Sequence, residues 1–112
     1  MSERNWYLFV EDILESINLI EEYIKNLSFD NFKTDRKTQD AVIRNLEIIG
    51  EALKNIPLEI RENNHEIDWK GFIGLRNIIT HQYFGLSLSI LWNIINNDLK
   101  NLKIKIKLLS KY

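Results

Sequence analysis

The residues best suited to chemistry in this chain lie in one short segment, 76–83, which reads RNIITHQY. Arg76 is a permanent cation whose planar fork suits phosphate oxygens. His81, five positions later, can take up and return a proton near pH 7. A fixed cation and a proton-transfer group together could cleave a phosphodiester without a metal ion.

The spacing of these residues on a helix raises a geometric problem. At about 100° per residue, Arg76 and Tyr83 share one face of a helix. Asn77 and His81 share the neighbouring face. Arg76 and His81 then lie about 140° apart, which is unfavourable for two groups that act on one phosphate. Either the helix bends or ends near His81, or the site combines residues from two copies of the chain.

Each of these residues also has a purely structural interpretation. His81 could cap a helix or pack in the core near a helix end. Arg76 could form a surface salt bridge with Glu51 or Glu47. Tyr83 could anchor an aromatic ring against the core.

The chain has only one proline and four glycines, so few residues interrupt its helices. We therefore expect long amphipathic helices to position the segment. Three stretches carry apolar residues at alternating steps of four and three, which is typical of a helical bundle. They run from Trp6 to Leu27, from Val42 to Ile56 and from Leu88 to Leu109. The middle stretch has a further apolar stripe, which a subunit interface could cover; its residues are Ala41, Ile48 and Ala52.

Polar caps and helix breakers predict the boundaries of the second helix. Residues 30–37 are polar and are predicted to form a loop, with Asp35 or Thr34 as the N-cap of the helix. Pro57 ends this helix near Asn55 and opens a short helical piece to about residue 63.

Similar signals delimit the last two helices. Asp68 caps a helix that starts at Trp69, Gly85 breaks it, and Ser87 caps the final helix. The prediction is an all-α protein: an antiparallel bundle of four main helices plus one short helical piece, with residues 1–112 forming a single domain.

Composition narrows the class of protein. The chain has 112 residues, of which 45% are hydrophobic and none is cysteine, so disulfides and thiolate metal sites are excluded. His65 and His81 are its two histidines and lack metal-ligand spacing, so we predict no metal and no cofactor.

We see no signal peptide and no apolar stretch near the ~20 residues that span a bilayer. We therefore expect a cytoplasmic protein without a membrane partner.

Charge is balanced overall but uneven along the chain. The net charge of −1 argues against a protein that holds nucleic acid by bulk charge. Residues 1–35 carry eight acids and three bases, whereas residues 96–112 carry one acid and five lysines. Both ends could be solvated helix faces, or the lysine-rich end could steer an anionic partner.

Segment 76–83 resembles the Arg-x4-His-x-Tyr signature of the HepT-like toxins of the HEPN superfamily. The resemblance extends to residues 12–17, 39–52 and 74–77 and to Trp69, in the family's order, and covers nearly the whole chain. It implies an HEPN-like helical domain that forms a homodimer and pools the motifs of two copies at the two-fold axis.

The resemblance also implies a metal-independent ribonuclease. His81 would take the proton from an RNA 2′-hydroxyl, whose oxygen attacks the adjacent phosphorus, while Arg76 stabilises the phosphate charge. His81 of the second copy would protonate the leaving oxygen, giving a cyclic phosphate and a free 5′-hydroxyl. Asn77 would orient His81 or bind phosphate. Arg44 and Glu51 share a helix face and either support the site or form ordinary surface contacts.

Tyr83 matches the tyrosine to which a small nucleotidyltransferase antitoxin attaches AMP in that family. It can reach the same cleft as His81 if the helix relaxes after Thr80. The resemblance thus implies three partners: RNA as substrate, a second copy, and a cognate minimal nucleotidyltransferase antitoxin.

Two other functions remain open at the level of the sequence. The chain could be a non-catalytic module that holds a nucleotide or a nucleotidyltransferase, or a purely structural helical dimer. The presence of both Arg76 and His81 favours the ribonuclease. The modest charge favours the binding module.

Overall fold

The computed structural model describes residues 5–82 and 86–109, and of His81 and Gln82 it describes the backbone alone. All regular elements within these residues are helical. They are α1 (Trp6–Ile24), α2 (Phe29–Lys33), α3 (Arg36–Asn55), α4 (Leu58–Glu62), α5 (Trp69–Gln82), α6 (Leu88–Asn93), a π-helical turn (Ile94–Asp98) and α7 (Leu99–Leu109). None of these helices is long and apolar enough to cross a membrane.

The central element is α3, which packs against both α1 and α5, while α7 packs against α1. Its predicted apolar seam is confirmed, because every member is at most 2% exposed: Val42, Leu46, Ile49, Leu53 and Ile56. In the second apolar stripe, Ala52 is buried, whereas Ala41 and Ile48 are half-buried. The helix that carries the segment of interest, α5, is therefore held in place chiefly by α3.

The predicted loop over residues 30–37 is wrong in its first half, because residues 29–33 form α2. Ser28 caps this helix: its hydroxyl accepts a hydrogen bond from the Asn31 N–H at 3.1 Å. Phe32 is fully buried, and its ring centroid lies 5.0 Å from that of Trp92. Burial of a phenylalanine, together with the cap, outweighs the polar composition of the segment.

The predicted caps of the longer helices are confirmed. Asp35 accepts the N–H of Thr38 at 3.1 Å and begins α3. The hydrogen bonds from the hydroxyl and the N–H of Thr38 lower the pKa of Asp35, so the cap stays charged at neutral pH and weakens only in acid. Asp68 accepts the N–H of Gly71 at 3.0 Å at the start of α5. Ser87 accepts the N–H of Ile90 at 3.4 Å at the start of α6.

The end of α3 lies where its helix breaker predicts, whereas the end of α1 does not follow the prediction. Pro57 separates α3, which ends at Asn55, from α4. The first helix ends at Ile24, earlier than its apolar stripe predicts, and Asn26 adopts a left-handed backbone with φ 66°. Asparagine tolerates that conformation well, so the chain turns before Leu27. Gly85 lies outside the described residues.

The C-terminal stretch departs from the predicted seam at its beginning. Leu91 is fully buried, whereas Leu88 and Trp92, which the heptad pattern placed in the core, are half-buried. The reason is the π-helical turn at Ile94–Asp98, which rotates α6 relative to α7. The later part of the seam, from Ile95 to Leu109, is buried as predicted.

Candidate active site

Arg76 stands in α5 at the place where this helix comes closest to α3. A Cβ atom on Gly50 of α3 would collide with the Cβ of Arg76 and would lie 3.1 Å from the carbonyl oxygen of Phe72. The missing side chain of Gly50 therefore permits the close approach of the two helices. Packing at Gly50 fixes where the side chain of Arg76 leaves the backbone.

The guanidinium of Arg76 is held at both of its terminal nitrogens. Its Nη2 lies 2.9 Å from Oε2 of Glu51, and its Nη1 donates to Oδ1 of Asn77 at 3.0 Å. The Arg76 side chain is 26% exposed, so the group is restrained but still open to solvent. Such a half-exposed pair adds little to stability, and its effect is mainly to orient the cation.

A second contact between α3 and α5 lies one turn along the helix. The hydroxyl of Thr80 donates to the carbonyl oxygen of Arg76 at 2.9 Å. The same hydroxyl lies 3.5 Å from Oε2 of Glu47, at the outer limit of a hydrogen bond. Two carboxylates of α3, Glu47 and Glu51, thus face α5 one turn apart.

These side chains border a cavity of about 360 Å³, which we call the α3 trough. Its floor is one face of α3, and its walls come from α1 and α5. The lining residues are Phe9, Asp12, Arg44, Glu47, Ile48, Glu51, Ala52, Asn55 and Arg76. The trough brings together three residues that the sequence singled out: Arg44, Glu51 and Arg76.

Arg44 is exposed and lies two helical turns from Glu51 along the trough, about 10 Å by the helical rise. Within the described part of the chain, no salt bridge involves Arg44. Its guanidinium is therefore available to an anion from outside. The predicted common face of Arg44 and Glu51 is confirmed.

The predicted contacts of Arg76 and Asn77 have different outcomes. The salt bridge between Arg76 and Glu51 is present, as the structural interpretation of Arg76 expected. Asn77 contacts Arg76, and its predicted role in binding phosphate stays a prediction. Its predicted alternative role, orienting His81, concerns a side chain outside the described residues.

The backbone of His81 lies in the last turn of α5, which continues through Gln82. A relaxation of the helix after Thr80, which would carry Tyr83 toward the cleft, is therefore absent, because the helix remains regular for two more residues. Tyr83 itself lies outside the described residues. A continuous α5 keeps the backbones of Arg76 and His81 about 140° apart around the helix axis.

Sequence reasoning missed the role of Gly50 and most of the trough. A glycine inside a long helix costs stability, so Gly50 could have indicated a close helix contact. Phe9 and Asp12 of α1 had no such signal, because their position beside α3 depends on how the helices pack. Among the described side chains, those of residues 5–80 and 86–109, no cluster of three or more metal-ligating groups is found. The absence of a metal from the reaction stays a prediction.

The opposite face of α5 borders a larger, apolar groove of about 760 Å³ against α6, α7 and the turn between them. Gly74 and Ile78 contribute to it from α5, and Ile90 contributes from α6. A Cβ atom on Gly74 would have no neighbour within 4 Å. This groove lies on the far side of the helix from Arg76, and the two cavities are separate.

Comparison with known proteins places the chain in a family. A sequence model described as "Ribonuclease HepT-like" matches residues 13–109. The "Probable ribonuclease HepT" of Thermococcus cleftensis is 45% identical over 92% of this chain and 94% of its own length. A "Putative RNase" of Methanocaldococcus jannaschii is 40% identical over 96% of this chain and 99% of its own length.

A longer protein of the same archaeon is also similar. It is named "Gamma-glutamylcyclotransferase and putative RNase" and is 48% identical over 86% of this chain, which spans 43% of that protein's length. No solved structure matches significantly. The match along residues 13–109 and the nearly full-length relatives show that the chain belongs to the HepT-like ribonuclease family.

Proposed function

We propose that this protein is a metal-independent endoribonuclease, the toxin of a toxin–antitoxin pair, which acts as a homodimer. The observation that carries the proposal is the restrained guanidinium of Arg76, held by Glu51 and Asn77 at the edge of an open trough. The name of the family and the names of the relatives support RNA as substrate. Residues 1–112 would act as one domain, in the cytoplasm.

The reaction needs one base, one acid and one fixed cation. His81 takes the proton of the 2′-hydroxyl, whose oxygen bonds to the neighbouring phosphorus as the bond to the 5′-oxygen breaks. A second imidazole, His81 of the other copy, donates the proton that the leaving oxygen requires. Arg76 neutralises the charge that builds up on the phosphate oxygens. The products are a 2′,3′-cyclic phosphate and a 5′-hydroxyl.

The angle between the two motif residues supports a dimer. Since α5 is continuous through Gln82, the backbone positions of Arg76 and His81 in one copy lie about 140° apart around the helix axis. A second copy that contributes its own α5 would supply the missing group to each phosphate. We propose that Asn77 binds a phosphate oxygen beside Arg76, that Arg44 binds a neighbouring phosphate farther along the trough, and that Glu51 orients the guanidinium.

The direct test is cleavage of a defined RNA by purified protein. We expect RNA to be cut to products with cyclic phosphate and 5′-hydroxyl ends, seen by mass spectrometry. DNA of the same sequence should stay intact because it lacks the nucleophile. Addition of a chelator should leave the rate unchanged. Cut DNA, or loss of RNA cleavage on chelation, would contradict the mechanism.

Replacing Glu51 should affect the rate more than the fold. In Glu51→Ala the guanidinium of Arg76 loses its 2.9 Å partner, and we expect kcat to fall roughly tenfold through misorientation of the cation. Glu51→Gln keeps an acceptor oxygen and should lose less. Because the pair is half-exposed, the free energy of unfolding should change by less than ~1 kcal/mol. A stability loss without a rate loss would assign Glu51 a structural role.

Tyr83 is the proposed position of regulation. An attached AMP would add a negative charge and a purine two residues from His81 and would exclude RNA by repulsion and bulk. Tyr83→Phe removes the acceptor oxygen but keeps the ring, so we expect a folded ribonuclease that a co-expressed nucleotidyltransferase no longer silences. Mass spectrometry of the co-expressed proteins is the measurement. Adducts only on another tyrosine, or none with an active partner, would contradict this role.

A non-catalytic binding module is the second candidate. The observation that favours it is the acidity of the trough, where Asp12, Glu47 and Glu51 outnumber Arg44 and Arg76. Such a lining is unusual for a protein that holds long RNA by its backbone. Binding of a nucleotide or of a nucleotidyltransferase without any RNA cleavage would favour this function.

A further inference from the structure

We propose that the α3 trough is a base-selective subsite that binds guanine in the nucleotide next to the scissile phosphate. The inference rests on the proposed function, because Arg76 marks where that phosphate lies. A base attached to the same nucleotide must lie within one nucleotide of the guanidinium. The trough runs along α3 from Arg44 to Asn55, and Arg76 borders it beside Glu51.

The size and the apolar surfaces of the trough suit one nucleobase. A volume of about 360 Å³ lies at the lower end of the ~300–1,000 Å³ typical of small-molecule sites. Phe9 supplies an aromatic ring in one wall, and Ile48 and Ala52 supply aliphatic surface on the floor. Aromatic and apolar side chains of this kind stack on the flat faces of unpaired bases.

The carboxylate of Glu47 provides the means to choose among bases. Its one hydrogen bond within the described residues is the long contact from Thr80 at 3.5 Å. That hydroxyl is better placed on the carbonyl oxygen of Arg76, at 2.9 Å. Both oxygens of Glu47 therefore keep capacity to accept further hydrogen bonds. Glu51, in contrast, already binds Arg76.

Guanine matches a free carboxylate better than the other bases do. Its N1–H and N2–H donors lie side by side on the Watson–Crick edge and can meet two carboxylate oxygens at once. Uracil offers one N–H between two carbonyl oxygens, which a carboxylate repels. Adenine and cytosine offer an amine beside a ring nitrogen that is itself an acceptor. A bidentate contact of this kind is the basis of base discrimination in nucleic-acid complexes.

The charges of the trough favour a nucleotide over a protein segment as occupant. Five of the nine lining residues are charged: Asp12, Arg44, Glu47, Glu51 and Arg76. A dry protein contact over this surface would bury Arg44 and Glu47, which form no salt bridge within the described residues. A nucleotide instead brings a phosphate for each arginine and donors for the carboxylate. Arg44 would take the phosphate on the far side of the base.

Binding of short oligonucleotides tests the inference without relying on catalysis. The probes are fluorescein-labelled 2′-fluoro oligouridylates, which lack the nucleophilic hydroxyl, with one central nucleotide changed to G, A or C. We expect the G-containing probe to bind the wild-type protein roughly tenfold tighter than the all-U probe, as one bidentate base contact would give. Equal affinities, or another favoured base, would overturn the assignment of guanine.

The variant Glu47→Gln identifies the residue responsible. An amide offers one acceptor and one donor in place of two acceptors, so the preference for G over U should fall to about twofold or less. Glu62→Gln, an exposed acid of α4 outside the trough, should keep the tenfold preference. An undiminished preference in Glu47→Gln would overturn the role of the trough. Normal RNA cleavage without base preference would refute this inference alone, whereas no binding and no cleavage would refute the proposed function as well.

Discussion

Replacing either His81 or Arg76 with alanine should lower the rate of RNA cleavage by about 10²–10⁴-fold while the protein stays folded. The first change removes the proton-transfer group, and the second removes the cation that stabilises the phosphate. Truncation of Arg76 keeps its Cβ, the atom that packs at Gly50, so the contact between α3 and α5 should survive. Initial rates on a fluorogenic RNA and thermal unfolding followed by circular dichroism measure the two effects.

The His81→Ala variant also tests whether two copies share the site. Each proposed site uses the imidazoles of both copies, so wild-type protein that exchanges subunits with an excess of His81→Ala chains should lose more activity than dilution alone would cause. A site within one copy would keep the activity proportional to the amount of wild-type chain, and a monomer in light scattering at micromolar concentration would exclude a shared site. Unchanged cleavage by His81→Ala would rule out the mechanism. Unfolding of both variants would favour the structural interpretations of these residues.

Two glycine-to-alanine changes should have opposite effects on stability. Gly50→Ala places a methyl group against Arg76 and the carbonyl of Phe72, and we expect the free energy of unfolding to fall by about 1–3 kcal/mol. Any outward shift of α5 also moves the guanidinium, and a displacement near 1 Å can cost about 10² in rate. Gly74→Ala adds its methyl to open space and should raise the free energy of unfolding by up to ~1 kcal/mol.

Denaturant titrations of the two variants and their cleavage rates check this prediction. Gly74→Ala is the matched control, because it makes the same chemical change in a neighbouring helix, on the face of α5 away from Arg76. Equal changes in the free energy of unfolding would mean that the effect of a glycine-to-alanine change does not depend on the surroundings of the glycine. A destabilised but fully active Gly50→Ala would show that α5 does not need this contact to place Arg76.

Local chemistry explains which parts of the fold the sequence predicts well. The ends of α3 follow from Asp35 and Pro57, and the start of α5 follows from Asp68, because caps and breakers act on their immediate neighbours. α2 is missed because the buried Phe32 and the half-buried Phe29 outweigh its polar residues. The packing of Phe32 against Trp92 joins positions far apart in the chain, and no local pattern reports it.

The site also has some features that the local sequence predicts and others that depend on how the helices pack. The spacing of Arg44 and Glu51 places both on one face of α3, and segment 76–83 marks the helix that carries the cation. Gly50 could have indicated a close helix contact, but not that Arg76 is the partner, because the partner depends on how α5 is rotated against α3. Phe9 joins the trough for the same reason: its place depends on the packing of α1.

The π-helical turn at Ile94–Asp98 makes the C-terminal stretch sensitive to a change in chain length. Before the turn α6 contacts α2, and after it α7 contacts α1. Deletion of one residue within the turn would let the stretch close into a regular α-helix and would rotate α6 by about 100° relative to α7. Leu91 would then leave the core, and Trp92 would leave Phe32. An insertion or deletion in this turn would therefore change how α6 packs on α2 relative to how α7 packs on α1. The same event in an exposed loop would leave both contacts in place.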